Sequence, residues 1–157
     1  MTTLTDAATP LKLLALDGDD LAIMSALVQD AITRPGEMTY LRDERAFVLV
    51  VDRLARELRP ERAGPLGLRK RWQRRRAALD LRRVSKVERL GFDQAAKDEL
   101  LVVLAVTLDA AADGVGGTVT VAFAGGATLR LTVEAVEARL TDLGPAWKSG
   151  ATPRHAA

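Results

Sequence analysis

The sequence predicts an α+β fold: a mostly antiparallel, curved sheet of six to seven strands, with an N-terminal amphipathic helix and a C-terminal helix. Three observations support it. Runs of β-branched and aliphatic residues alternate with polar ones over most of the 157 residues. Helical periodicity is confined to one stretch near each end. Strands in a block with helices at its flanks, rather than strands alternating with helices, mark α+β domains. A curved antiparallel sheet closed by a terminal helix suggests a pleckstrin-homology-like roll, by analogy alone.

Residues 1–10 read as a disordered start, 11–147 as a single domain and 148–157 as a loose tail. Leu11–Leu16 predicts a short strand. In "DGDDLAIMSALVQDAI" the residues Leu21, Met24, Leu27, Val28, Ala31 and Ile32 recur at helical spacing and form one apolar stripe. Asp17 is placed to cap this helix, and Asp19 and Asp20 sit in the first turn, where the helix dipole favours negative charge. Pro35 and Gly36 stop it. "MTYLRDERAFVLVVDRL" predicts a hairpin about Arg42–Arg45, whose second strand is apolar on both faces and therefore central.

From Ala55 to about residue 75 the pattern dissolves into an exposed basic loop containing two prolines and two glycines. Over 76–92, Leu79 and Leu81 alternate with polar residues, while Leu81, Val84 and Val87 are spaced by three. A strand with a bulge near Arg83–Val84 accommodates both. Residues 99–108 predict a second central strand. In "GTVTVAFAGGATLRLTV" a two-residue turn would set apolar against polar side chains. A three-residue loop Ala124–Gly126 pairs Val121 with Leu129 and Val119 with Leu131, so parity selects it, with Gly126 at a left-handed bulge position. A helix over Glu134–Leu143 follows from the spacing of Val133, Val136, Leu140 and Leu143, with Gly144 and Pro145 as its stop.

Composition narrows the chemistry. Aromatics are only 4% of the chain, so the core must be aliphatic. With no cysteine there are no disulfides, thiolates or Cys-ligated metals. His155 is the single histidine and lies near the chain end, where it cannot serve a positioned triad or a multi-histidine metal site. Catalysis would rest on Asp, Glu, Lys, Tyr40 or Ser, and neither Ser25 nor Ser85 has nucleophile-elbow glycines. No apolar run is long enough for a membrane helix, so a cytoplasmic protein without a membrane partner is expected. "DGDD" lacks the spacing of a calcium loop and is explained by helix capping, and "AGGA" lacks the Lys and helix of a phosphate loop. No cofactor or metal is expected.

Net charge is only +2, but residues 53–90 hold 14 basic and 4 acidic residues, a local +10 against −8 elsewhere. The charge peaks in "LRKRWQRRRAAL", where Arg69, Lys70, Arg71, Trp72, Arg74, Arg75 and Arg76 form the candidate site. Two readings stay open. The run could contact phosphates while Trp72 stacks on a base. Alternatively it is a solvated loop, since neither a helix-turn-helix nor an aromatic-rich strand accompanies it. The expected function is a non-catalytic protein-interaction module binding a protein partner or itself. The alternatives are RNA or single-stranded DNA binding through the basic loop, and a small enzyme using carboxylates only.

Three blocks, "LKLLALDGDDLAIMSALVQDAI", "RRRAALDLRRV" and "FAGGATLRLTVEAVEARLTDLGPAW", together resemble a family of small alphaproteobacterial proteins, the domain of unknown function DUF 2948. The resemblance runs from about Leu11 to His155. It implies an alphaproteobacterial source, in keeping with the Arg and Ala bias, and brings no activity, cofactor or site residues with it.

Overall fold

The chain alternates between buried and exposed residues over most of its length, and strands result. The computed structural model describes residues 9–148; the expectations for residues 1–8 and 149–157, His155 included, lie outside the described residues. Strand β1 (Lys12–Ala15) leads into helix α1 (Gly18–Val28), followed by β2 (Ile32–Thr33), β3 (Met38–Leu41) and β4 (Ala46–Leu54). Next come β5 (Glu61–Ala63), β6 (Arg69–Arg71), β7 (Gln73–Leu81), β8 (Val84–Leu90) and β9 (Leu101–Ala110). The order ends with β10 (Gly117–Phe123), β11 (Thr128–Val133), β12 (Ala138–Asp142) and β13 (Trp147–Lys148).

Nine strands form a continuous path, β1-β12-β7-β4-β2-β9-β10-β11-β8, with β3 added beside β4 and β13 beside β7. Among the described residues every ladder is antiparallel, from the β1–β12 pair to the β10–β11 hairpin. Two halves, one built on β12, β7 and β4 and the other on β9, β10 and β11, meet through the two residues of β2. Their inner faces share one aliphatic core. Phe47, Leu49, Val51, Leu79, Leu81 and Leu140 come from the first half, and Val103, Val106, Val121, Phe123, Leu129 and Leu131 from the second.

The helix begins as its capping residues require. Asp17 Oδ1 accepts from the Asp20 amide at 2.8 Å, and Asp20 Oδ2 accepts from the Leu16 amide at 3.2 Å. It ends at Val28, a turn earlier than the apolar stripe suggests. Ala31 and Ile32 fit that stripe but are claimed by the sheet: the Asp30 amide donates to the Val103 carbonyl, and Val103 returns a bond to Ala31. Asp30 takes the left-handed conformation (φ 66°) that lets the chain leave.

Several expectations are overturned. The main sheet has eleven strands rather than six to seven, because β2, β12 and β13 join it and residues 76–92 divide into two strands. The "loop" of 55–75 holds the separate β5–β6 ribbon and the start of β7. There is one α-helix among the described residues and no C-terminal helix, so nothing closes a pleckstrin-homology-like roll in the expected way. The C-terminal segment is β12, inserted between β1 and β7. Its true period is two: Ala138, Leu140 and Asp142 are buried, while Arg139 and Leu143 are exposed. Ladders on both edges outweigh the helical spacing, and the buried Asp142, polar by type, disguised the alternation.

Residues 76–92 are two strands in different parts of the sheet rather than one bulged strand. Arg83 (φ 57°) turns a corner between β7, which lies between β4 and β12, and β8, which lies at the end of the path beyond β11. A shift in the β8–β11 register at Ser85 adds a bulge just past that corner.

Other expectations hold. The β3–β4 hairpin turns at Arg42–Arg45, with β4 placed centrally between β7 and β2. The β10–β11 register pairs Val121 with Leu129 and Val119 with Leu131. Its loop is the three residues Ala124–Gly126, closed by Phe123 and Ala127. Both Gly125 (φ 87°) and Gly126 (φ 94°) are left-handed, and a Cβ at either would meet open space. The cost of a side chain at Gly126 is therefore backbone strain alone. Gly126→Val is expected to lower stability by about 1–2 kcal/mol, measured by chemical denaturation; an unchanged midpoint would refute the argument.

Candidate functional site

The cationic run is divided by the fold into parts with different fates. Arg69, Lys70 and Arg71 form β6, which pairs only with β5 in a separate two-stranded ribbon. Trp72 is half-buried at its base. Arg74, Arg75 and Arg76 lie in β7, inside the main sheet.

Those three arginines are committed to the fold. Arg74 donates to the Asp52 carbonyl at 2.9 Å and the Asp30 carbonyl at 3.2 Å. Burial lowers its pKa from the usual value, against the opposing pull of Asp52 and Asp30. Arg76 pairs with Asp52 at 3.0 Å. Arg75 is buried, donates to the Thr9 carbonyl at 3.0 Å, and lies 3.5 Å from both Asp142 and Glu57.

Arg75 belongs to a buried charge network whose members the candidate run only partly included. Arg53 is fully buried and meets Asp142 through two parallel bonds, Nε to Oδ1 and Nη2 to Oδ2, each 2.9 Å. Its Nη1 and Nη2 also donate to Glu57 at 3.0 and 2.7 Å, and Nη1 reaches the Leu54 carbonyl at 3.2 Å. All five guanidinium N–H donors are thereby used. Asp142 also accepts from the Leu11 amide at 2.8 Å.

Burial opposes charge on Arg53, Glu57 and Asp142, yet the hydrogen bonds and opposite charges prevail. Arg53 is held above the ordinary arginine value, and Glu57 and Asp142 are held below the ordinary carboxylate range. The two arginines and two carboxylates balance one another, which marks the cluster as structural. Arg53 and Asp142 escaped the sequence reading because polar residues at strand positions look like solvent-facing ones. Their burial depends on partners 89 residues apart.

About half of the local +10 is thus neutralised by acids from other parts of the chain, namely Asp30, Glu37, Asp52, Glu137 and Asp142. Arg56 bonds the Ala26 and Gln29 carbonyls and Asp30, closing the C-terminal end of α1. Arg82 pairs with Asp80, and Arg83 with Glu137. Arg89 faces inward opposite Leu129, with its guanidinium carbon 5.7 Å from the Phe47 ring centroid. Burial pushes its pKa down.

What remains is the ribbon. Among the described residues, Arg59, Arg62, Arg69, Lys70 and Arg71 have no ion pair or side-chain hydrogen bond. Gly64, Pro65, Leu66 and Gly67 make its turn, closed by the Gly67 amide on the Gly64 carbonyl at 3.1 Å. Proline at the second turn position and glycine at the fourth are the usual type I preferences. That turn signal lay in the segment read as structureless. Cross-strand partners Arg62 and Lys70 share a face, and with Arg59, Pro60, Gly67 and Leu68 they line an open cleft of about 370 Å³. Arg59 and Arg62 were not among the expected site residues; Arg74–Arg76 were, and the fold sets them apart from the ribbon, in β7 with partners of their own.

Other side chains weighed for chemistry have structural partners. Tyr40 donates to the Val84 carbonyl at 2.7 Å, Ser25 accepts from the Val106 amide at 2.8 Å, and Ser85 donates to the Thr132 carbonyl at 3.3 Å. Asp17–Asp20 cap α1. No helix among the described residues is long and apolar enough to cross a membrane.

The family model described as "Protein of unknown function (DUF2948)" matches residues 11–155, most of the chain. The chain belongs to the DUF2948 family. No curated protein and no solved structure matches it. For this DUF2948 member the matched region takes in the whole main sheet, the charge network and the ribbon alike.

Proposed function

We propose that the protein is a non-catalytic interaction module that docks an anionic partner surface through the β5–β6 ribbon. The observation that carries this reading is the separation of charges. Asp52 of β4, Asp142 of β12 and the loop residues Asp30 and Glu57 engage Arg53, Arg56, Arg75 and Arg76, whereas among the described residues the five ribbon cations engage no acid. A protruding cationic element accelerates association with acidic partners and makes it salt-sensitive. Nucleic-acid binding through the original run is less well supported, since three of its six cations are occupied and Trp72 is half-buried at the ribbon base.

The test is retention on immobilised polyglutamate at rising salt. The variant Arg62→Ser/Arg69→Ser/Lys70→Ser/Arg71→Ser is expected to elute early while its stability stays within about 0.5 kcal/mol of the parent, as exposed substitutions do. A control, Arg130→Ser/Arg139→Ser, removes exposed charge from the main sheet. Equal losses in both variants would mean that net charge, not the ribbon, drives retention, and the reading would fail.

A further inference from the structure

We infer that the partner of the ribbon is an anionic lipid surface, with Leu66 and Leu68 entering the interface and the cations of the same face meeting headgroup phosphates. This rests on the reading of the ribbon as an anion-docking element and specifies what it docks. Leu66 and Leu68 are 79% and 80% exposed, the highest exposures among the large hydrophobic side chains of the described residues. They stand together at one end of one hairpin, where single scattered leucines would need no explanation.

Their setting selects the partner. Side chains two apart on a strand share a face, so Leu68 lies on the side of Lys70 and its cross-strand partner Arg62. Arg59 completes the cleft on that side, and no acid lines it. The only acid within the two strands, Glu61, pairs across with Arg71 and belongs to the opposite face. The order along the ribbon is therefore apolar tip, then cations, then the protein body. A lipid interface has the matching order of hydrocarbon, then phosphate, then water.

A single-stranded nucleic acid would instead call for exposed aromatic platforms, and this face offers aliphatic leucines. An acidic protein would satisfy the cations but would need a dedicated groove for two convex leucines. The ribbon also forms no ladder with the main sheet, and an isolated two-stranded hairpin is marginal on its own in water. Docking would order it. The expectation of no membrane partner came from the lack of a spanning helix, which does not bear on a hairpin that rests on the surface.

The experiment is flotation of the full chain with vesicles of phosphatidylcholine alone and of phosphatidylcholine mixed with phosphatidylglycerol. Polyglutamate and polyuridylate serve as soluble polyanions at the same ionic strength. The protein should float with the mixed vesicles only. Arg62→Ser/Lys70→Ser should weaken that binding about fivefold per cation, and Leu66→Ser/Leu68→Ser should weaken it at least tenfold, roughly, through lost apolar transfer. The leucine variant should keep its melting temperature and its retention on polyglutamate.

Vesicle binding that the leucine variant retains in full would overturn the inference. So would ribbon-dependent binding to a soluble polyanion without any flotation, an outcome that leaves the docking reading standing. Binding to none of the probes would sink both.

Discussion

Asp142→Ala is expected to lower the unfolding free energy by about 3–5 kcal/mol, the usual cost of removing one partner from a buried ion pair. The side chains of Arg53 and Asp142 are both fully buried, and the substitution removes two of the five acceptors that Arg53 uses. It also strips Arg75 of a carboxylate and leaves the Leu11 amide without its acceptor. Glu57 remains, but its side chain is 31% exposed and screened accordingly. Urea denaturation of the single and double variants would measure this. In the pair Arg53→Met/Asp142→Leu the losses should fall short of additive, because no unpaired charge stays buried between the two sites. Fully additive losses would show that the two side chains do not act as a pair.

The same network gives stability a pH dependence of definite sign. The folded-state pKa values of Asp142 and Glu57 are depressed, so the unfolded chain takes up protons at higher pH than the folded one. Their contribution is therefore complete above the ordinary carboxylate range, near about pH 4. It is lost as pH falls through the depressed folded values. Asp142→Ala should flatten that acid limb as well as lower the plateau.

Gly117→Ala is expected to cost about 3 kcal/mol, at the upper end of overpacking losses. A Cβ at Gly117 would fall on the Asp109 carbonyl oxygen and reach within 3.0 Å of the Ala110 Cα. Both obstacles are backbone atoms of β9, which cannot swing aside as a side chain can. At the neighbouring Gly116 a Cβ would lie 2.5 Å from the Val133 carbonyl oxygen. The contrast with Gly126→Val can be read from a pair of denaturation curves. If Gly117→Ala cost less than Gly126→Val, close backbone approach would not be the reason for glycine at 117.

Side-chain parity was legible wherever apolar and polar residues alternate cleanly. The β10–β11 register followed from Val119, Val121, Leu129 and Leu131, because a shift by one residue would turn every core side chain to solvent. The start of α1 was equally legible, since the Asp17 cap is made within four residues. The candidate site was legible only in part. Six cations in eight residues located the charge, but the division between a free ribbon and a committed β7 depends on where Asp30, Asp52, Glu57 and Asp142 lie.

By itself, then, the sequence determined local matters: the aliphatic core, the helix cap, the hairpin parities and the lack of thiol chemistry. The tertiary structure alone decided that 138–142 is a strand rather than part of a helix, that Ala31 and Ile32 leave the helix, and which arginines are buried. The physical reason is the range of the forces. Caps, turns and alternation act between near neighbours, whereas ladder bonds on both edges of β12 and ion pairs spanning 89 residues exist only once distant segments have met.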